Sequence, residues 1–256
     1  MNGAYKHPLR VGARLIWLTG ELMWTAARFI PCVLFRSGDS LFEARARWLQ
    51  AACRRVLQIF NPHIQAKGPI PSLGLLVSNH LSYLDILLLG SLTPSIFVAK
   101  REVANWPVFG WFARVAGTMF ADRERPTQVG PLTSQLRTAL DQEVLVVLFP
   151  EGTSSDGRSI LPFKSALLEP ATMSPHPLSA SSITYELADG DAAEEVCYWK
   201  DMSFIPHLLN LLSKGRVHIS VDFCRVCRGP ANRKELATQL RAEVFKLRRQ
   251  QSPSLA

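Results

Sequence analysis

The sequence lacks a long hydrophobic run that is free of charge. Its apolar segment at residues 15–35 is interrupted by Glu21 and Arg28. At the centre of a bilayer each of these charges would cost about 2.5 to 3.5 kcal/mol, against roughly −0.3 to −0.6 kcal/mol for each Leu, Ile, Phe or Val. The segment therefore argues against a clean transmembrane span. Because no convincing cleavage site follows it, the segment also argues against a signal peptide.

Cysteine is sparse and shows neither a secreted nor a metal-binding pattern. The five cysteines lack the spacing of a disulfide framework, and Cys224 and Cys227 form a single CxxC with no second pair or histidine cluster beside it. This pattern argues against a zinc or redox site. It favours reduced cysteines in a protein that faces the cytoplasm.

Positive charge is concentrated at the two ends of the chain. Residues 1–60 carry nine Lys or Arg against three Asp or Glu, and residues 231–256 carry six against two, within a net charge of +8. Basic ends around a slightly acidic middle predict contact with an anionic surface, for which nucleic acid and lipid headgroups both qualify.

Two amphipathic helices are predicted near the amino terminus. Arg14, Glu21 and Arg28 recur at seven-residue intervals, which keeps them within about 40° on one face of a helix. Such a helix lies in a membrane interface or packs on the body of the protein. We expect Pro31 to end or kink it. A second helix over residues 41–60 follows, and two such helices with basic flanks favour a membrane-docking pair.

The stretch GLLVSNHLSYLD at residues 74–85 joins a short buried strand to a helix start. Ser82 stands three residues ahead of Asp85, which is the spacing of a capping box. His80 would then lie in the turn at the carboxyl end of a strand, where open α/β sheets place ligands. A histidine held by an aspartate can act as a general base. The alternative is a structural turn histidine, with Asp85 serving only as a cap partner.

Two further predicted strands end in polar residues. Lys100 follows a strand at residues 95–99 and is a secondary candidate for phosphate contact, although adjacent cations are usually solvated surface. A buried strand at residues 144–149 is broken by Pro-Glu-Gly-Thr. The glycine of this turn allows the backbone to approach a ligand, and Glu151 can accept hydrogen bonds from hydroxyl groups.

These stretches resemble the motifs of the glycerolipid acyltransferase family, of the bacterial lysophosphatidic acid acyltransferase kind. Asn79, His80 and Asp85 match the first motif, which is Asn-His, four variable residues and Asp. GTMFADR at residues 117–123 and FPEGTSS at residues 149–155 follow in the family's order. Three ordered blocks are unlikely to agree by chance.

The resemblance covers about residues 75–223 and implies an α/β fold with a mixed sheet flanked by helices, behind the N-terminal amphipathic helical pair. The expected organisation is membrane-docking helices at residues 1–60, an acyltransferase domain at 61–230 and a basic C-terminal helix at 231–256. A fourth family block, a proline leading an apolar strand, is faintly suggested by Pro177.

The resemblance further implies an O-acyltransferase that uses neither a metal nor a bound cofactor. His80 would remove the proton from an acceptor hydroxyl, which attacks the thioester carbonyl of acyl-CoA or acyl-carrier protein, and Asp85 would orient His80. The predicted substrate-binding residues are Asn79, Lys100, Arg123, Glu151, Gly152 and Thr153. Ser154 stands where the family often has an arginine, so that Arg158 or Lys164 could supply the missing cation.

The predicted acceptor is lysophosphatidic acid, with a lyso-ornithine lipid as the alternative. Two other classes stay open: a lipid hydrolase with Ser82 as nucleophile, which lacks the GxSxG elbow, and a noncatalytic membrane-binding module. The expected partners are the lipid surface, a lysophospholipid and the acyl donor rather than nucleic acid. The expected location is the cytoplasmic face of the inner membrane.

Overall fold

Short apolar runs form the centre of a seven-stranded sheet. In the computed structural model, which describes residues 7–34, 39–121, 129–172, 176–227 and 232–251, β2 (Leu75–Ser78) and β5 (Leu145–Leu148) are buried at every residue. This is expected for parallel strands covered on both faces. The other strands are β1 (Pro62–Lys67), β3 (Ser95–Lys100), β4 (Met119–Ala121), β6 (Leu178–Leu187) and β7 (Val217–Val226).

The strand order is β1-β7-β6-β2-β5-β3-β4. Neighbouring strands are parallel except β6 and β7, which form an antiparallel pair over their whole length. β6 runs parallel to β2, and their pairing ends at Ser78 and Ser181. β6 continues to Leu187. Its last residues therefore extend beyond the end of β2 and lie beside the segment that follows β2.

Helices cover both faces of the sheet. The longer ones are α1 (Pro8–Leu34), α2 (Asp39–Gln58), α3 (Leu84–Leu92), α4 (Phe109–Val115), α5 (Val129–Asp141), α8 (Phe204–Ser213) and α9 (Arg233–Gln251), and the short ones are α6 (Glu169–Thr172) and α7 (Ala192–Glu195). Alternate strand residues point to opposite faces. Leu76 and Val147 join the core under α1, α2, α3 and α8, whereas Leu75 and Val146 join the core under α5 and α9. The predicted mixed α/β fold with an N-terminal helical pair is confirmed.

Two residues of the charged stripe of α1, Arg14 and Glu21, face the protein, whereas Arg28 is exposed. Glu21 is buried and accepts hydrogen bonds from Arg55 Nη2 at 2.9 Å and from Trp17 Nε1 at 3.0 Å. The Arg55 guanidinium is the main cause that lowers the pKa of Glu21 below its usual value. Arg14 Nη1 donates to the carbonyl oxygens of Leu212 and Lys214 at 3.0 and 2.6 Å, at the end of α8. Val11 and Leu18 of α1 join the core, whereas other apolar residues of the helix, among them Ile16 and Met23, are left exposed on its outer side.

Pro31 lies inside α1, which continues to Leu34, so the helix does not end at this proline. At and before the start of α4, the apolar side chains of Trp106, Val108 and Trp111 are substantially exposed. Trp111 belongs to α4, whereas Trp106 and Val108 precede it. None of the helices in the described ranges is long and apolar enough to cross a membrane.

Candidate active site

The turn between β2 and α3 brings His80 and Asp85 together. His80 Nδ1 lies 2.7 Å from Asp85 Oδ2, and the side chain of His80 is 21% exposed whereas that of Asp85 is fully buried. A carboxylate only accepts hydrogen bonds, so Nδ1 carries the proton and Nε2 is left as an acceptor. The imidazole ring stacks on Phe149 at 4.2 Å between ring centroids. The pair has the geometry of a general base oriented by a carboxylate.

Asp85 also organises the backbone of the turn. Its Oδ2 accepts hydrogen bonds from the backbone N–H groups of Leu81 at 2.6 Å and Ser82 at 3.0 Å. The expected capping box is only half formed, because Ser82 Oγ lies 3.4 Å from the backbone nitrogen of Leu84 instead of bonding that of Asp85. The carboxylate therefore fixes the turn and holds His80 at the same time, so the two roles considered for Asp85 are compatible.

Asn79 is held away from solvent by β6. Its Nδ2 donates to the carbonyl oxygen of Ile183 at 3.0 Å, and its Oδ1 accepts from the backbone N–H of Ile183 at 2.7 Å. Asn79 is 1% exposed. The amide thus extends the β2–β6 pairing by one rung after the backbone ladder has ended. This contact gives Asn79 a part in placing His80; its predicted contact with substrate stays a prediction.

The loop after β5 wraps the His80 turn. Glu151 Oε1 accepts from the backbone N–H of His80, and Oε2 accepts from that of Leu161, each at 3.1 Å. The backbone N–H of Ser155 donates to the carbonyl oxygen of His80 at 3.0 Å. Burial raises the pKa of Glu151 to about 7, the backbone hydrogen bonds oppose this rise, and the charge of Asp85 adds to it. Two motifs distant in sequence therefore form one structural unit.

The other predicted binding residues are described by their positions around the His80 turn. Gly152 is buried and has φ of +75°, a conformation that favours glycine, and Thr153 is exposed beside it. Lys100 is exposed at the end of β3. Since β5 lies between β3 and β2, Lys100 is about two strand spacings, roughly 10 Å, from the line of β2. Arg123 lies outside the described residues.

The sequence reasoning missed Tyr185. This residue of β6 donates its hydroxyl to Asp85 Oδ1 at 2.6 Å, across a sequence separation of 100 residues. The available signal was a lone tyrosine near the end of an otherwise small and aliphatic buried strand. No spacing rule connects that strand to the His80 turn, and the contact becomes evident only in the folded chain.

Comparisons with known proteins identify the family of this chain. A family model described as Acyltransferase matches residues 62–184. The lyso-ornithine lipid O-acyltransferase of Rhodobacter capsulatus is 34% identical over 228 residues, which cover 84% of this chain and 79% of that protein. The chain belongs to the acyltransferase family.

Other acyltransferase relatives carry two different names. The 1-acyl-sn-glycerol-3-phosphate acyltransferase of Neisseria meningitidis is 31% identical over 212 residues, covering 79% of this chain and 82% of that protein. The lyso-ornithine lipid O-acyltransferase of Rhizobium meliloti is 33% identical over 188 residues, and this match spans 64% of its length. The crystal structure of the 1-acyl-sn-glycerophosphate (LPA) acyltransferase PlsC from Thermotoga maritima superposes with a TM-score of 0.62 at 18% identity, covering 94% of this chain and 96% of that one. That similarity shows a shared fold.

Proposed function

We propose that this protein transfers a fatty acyl group from a thioester donor to the free hydroxyl of a lysolipid. The observation that carries the proposal is the His80–Asp85 contact of 2.7 Å, with Nε2 left as a proton acceptor on a partly exposed ring. Nε2 takes the proton of the acceptor hydroxyl, and the oxygen attacks the thioester carbonyl. The tetrahedral intermediate then expels the thiolate, which takes the proton from the imidazolium. The donor is acyl-CoA or acyl-carrier protein.

Two acceptors are supported by different observations. Lysophosphatidic acid is the acceptor implied by the motif pattern, and relatives named for 1-acyl-sn-glycerol-3-phosphate share 31 to 32% identity. A lyso-ornithine lipid is supported by relatives with that name at 32 to 35% identity. Ser154 adds to the second case, because a serine where the family often has an arginine leaves one cation fewer for a phosphate headgroup.

A radiolabelled transfer assay with the full chain tests the proposal. Each acyl donor is combined with lysophosphatidic acid, lyso-ornithine lipid and other lysolipids, and both the diacyl product and free fatty acid are measured. We expect product to form only with an acceptor present. Fatty acid release without an acceptor would instead indicate the hydrolase.

Ser82→Ala is the matching control for the hydrolase. Ser82 is fully buried, and no hydrogen bond links its Oγ to His80 within the described residues. An acyltransferase therefore keeps most of its activity after this change, with a cap weakened by about 1 kcal/mol. A hydrolase that uses Ser82 loses all activity.

We further propose that the outer face of α1 docks on a membrane. Leu9, Ile16, Met23, Trp24 and Ile30 are each at least half exposed on this face. The charged side chains Arg14 and Glu21 are engaged with the protein on the inner side. A contiguous exposed apolar surface of this kind marks an interaction site, and Trp residues suit the interface between headgroups and acyl chains.

The apolar surface continues from α1 towards the amino-terminal end of α8. Phe29 contacts the exposed Trp111 at 6.1 Å between ring centroids, and Trp106 contacts Phe204 at 5.9 Å. Ile205, next to Phe204, is also exposed. Continuity across three helices fits a flat lipid surface better than a small ligand.

Flotation with vesicles containing anionic lipid tests the docking face. We expect Ile16→Gln, Met23→Gln and Ile30→Gln together to move the protein from the vesicle fraction to the soluble fraction. Ile70→Gln and Phe245→Gln are matched controls, because these residues are also exposed apolar side chains but lie elsewhere. Equal recovery of the triple variant and the wild type with vesicles would exclude a docking role for this face.

A further inference from the structure

Asp85 has a hydrogen-bond partner that the base mechanism does not use. Oδ2 serves His80 Nδ1 and two backbone N–H groups, whereas Oδ1 accepts from the hydroxyl of Tyr185 at 2.6 Å. Three of the four donors come from the turn that carries Asp85 itself. Tyr185 is the one of these four that comes from a separate element, β6.

The position of Tyr185 depends on the length of β6. β2 ends at Ser78, opposite Ser181, while β6 runs four residues further to reach Tyr185. Those extra residues remain paired with β7, since Tyr185 lies opposite Ile219. Tyr185 belongs to the same buried core as Leu81 and Leu84. A strand anchored in the antiparallel pair thus delivers a hydroxyl to the far side of the catalytic carboxylate.

The hydroxyl of Tyr185 stays protonated and can act only as the donor in this contact. Burial raises the pKa of Tyr185 well above its usual value, and the negative charge of Asp85 acts in the same direction. The residue is 8% exposed, so water does not compete for Oδ1. A short hydrogen bond from a neutral hydroxyl to a carboxylate is among the stronger protein hydrogen bonds.

We propose that Tyr185 is a positioning residue that acts on His80 through Asp85. The inference rests on the proposed acyl transfer, since it assigns Tyr185 to the same base. One contribution is geometric: with Oδ1 fixed from β6 and Oδ2 fixed by the turn, the carboxylate cannot rotate, and the imidazole keeps one orientation. The second is electrostatic: the Tyr185 hydroxyl takes up part of the negative charge that would otherwise act on the imidazole.

The electrostatic contribution has a definite sign. Without the Tyr185 hydroxyl, Asp85 holds more negative charge and stabilises the imidazolium form of His80 more strongly. Activity requires the neutral ring, so the acid limb of the kcat/KM profile moves to higher pH. A residue that only filled space in the core would not move this limb.

Tyr185→Phe is the direct test, because it removes the hydroxyl and keeps the ring. We expect kcat to fall roughly tenfold, less than the loss from removing the base itself, with little change in KM for the donor. We also expect the acid limb of kcat/KM to shift to higher pH. An acid limb that coincides with that of the wild type overturns the inference.

Tyr83→Phe is the matched control. Tyr83 also makes a hydrogen bond through its hydroxyl to another side chain, to His207 Nδ1 at 3.1 Å, and it lies two residues before Asp85 without bonding to it. This variant loses a comparable hydrogen bond and keeps the wild-type acid limb. A shift of the same size in both variants would show a general packing effect and would overturn the inference.

A measurement that needs no substrate separates this inference from the proposed function. In the full chain labelled with ¹⁵N-histidine, the Nδ1–H proton of His80 is identified by its loss in His80→Ala. In Tyr185→Phe that proton moves downfield, because Asp85 becomes a stronger acceptor, and in Tyr83→Phe it stays in place. An unmoved resonance overturns the role of Tyr185 even if acyl transfer is observed. A moved resonance in a protein that transfers no acyl group supports the contact while the proposed function fails.

Discussion

The described residues contain two histidine–aspartate pairs with nearly equal separations. His80 Nδ1 lies 2.7 Å from Asp85 Oδ2, and His176 Nε2 lies 2.8 Å from Asp141 Oδ1. The histidine side chains are similarly exposed, at 21% and 18%, but Asp85 is fully buried whereas Asp141 is 57% exposed. The difference between the pairs lies in the aspartate. A carboxylate removed from water interacts more strongly with its partner than one in contact with it.

The two pairs also lie at opposite ends of the central strands. His80 follows the carboxyl end of β2, where parallel sheets bind ligands. Asp141 closes α5 ahead of β5, and His176 precedes β6, so this pair lies near the amino ends of the strands. The histidine–aspartate distance alone therefore does not identify a general base. The histidine is distinguished by its position at the carboxyl end of a strand and by the hydrogen-bond partners of the aspartate that holds it.

The largest expected effect separates the two histidines by activity. A general base contributes about 10² to 10⁴ in rate, so His80→Ala nearly abolishes acyl transfer while the domain stays folded. His176→Ala changes the rate by no more than about twofold, because its partner is solvated. Initial rates under saturating donor and acceptor measure both effects. Folded His80→Ala protein that transfers at the wild-type rate would contradict the proposed mechanism.

A smaller effect separates the two aspartates by stability. In Asp85→Asn the amide has one acceptor oxygen for four donors, and a buried donor left without an acceptor costs about 1 to 3 kcal/mol. Asp141→Asn alters an exposed pair worth at most about 1 kcal/mol. Urea unfolding at pH 7 compares the variants. An equal loss of unfolding free energy in the two variants would mean that the buried hydrogen bonds of Asp85 contribute no more to stability than the exposed pair of Asp141.

The smallest effect extends the comparison to Glu151, a buried carboxylate with two backbone donors. Its pKa is raised to about 7, so the folded state binds a proton more tightly than the unfolded state. Its stabilising contribution is therefore complete below the unfolded value near 4.5 and is lost as pH rises through 7. Between pH 5.5 and 7 we expect a loss of about 1 to 2 kcal/mol.

Glu151→Gln supplies the reference for this pH dependence, because glutamine does not titrate. The difference in unfolding free energy between wild type and variant should shrink as pH rises from 5.5 to 7. A difference that grows over this range would mean that Glu151 is held ionised by its two backbone donors, with burial the weaker influence.

The sequence by itself determined the central strands, the His80 turn and the order of the motifs. The run Leu75, Leu76 and Val77 is apolar and short, which suits a buried parallel strand. The pairing of His80 with Asp85 was also predictable, since five residues of separation allow contact when the histidine lies in a turn and the aspartate begins a helix. These features depend on local spacing, which is written directly in the chain.

Only the tertiary structure decided which way α1 faces and which groups complete the site. Seven-residue spacing predicted one charged stripe on α1, but its direction depends on Arg55 and on the carbonyl groups at the end of α8. Tyr185 likewise reaches Asp85 because β6 is longer than β2. Both outcomes come from contacts between elements far apart in sequence, and no periodicity within a single segment specifies which distant element will supply the partner.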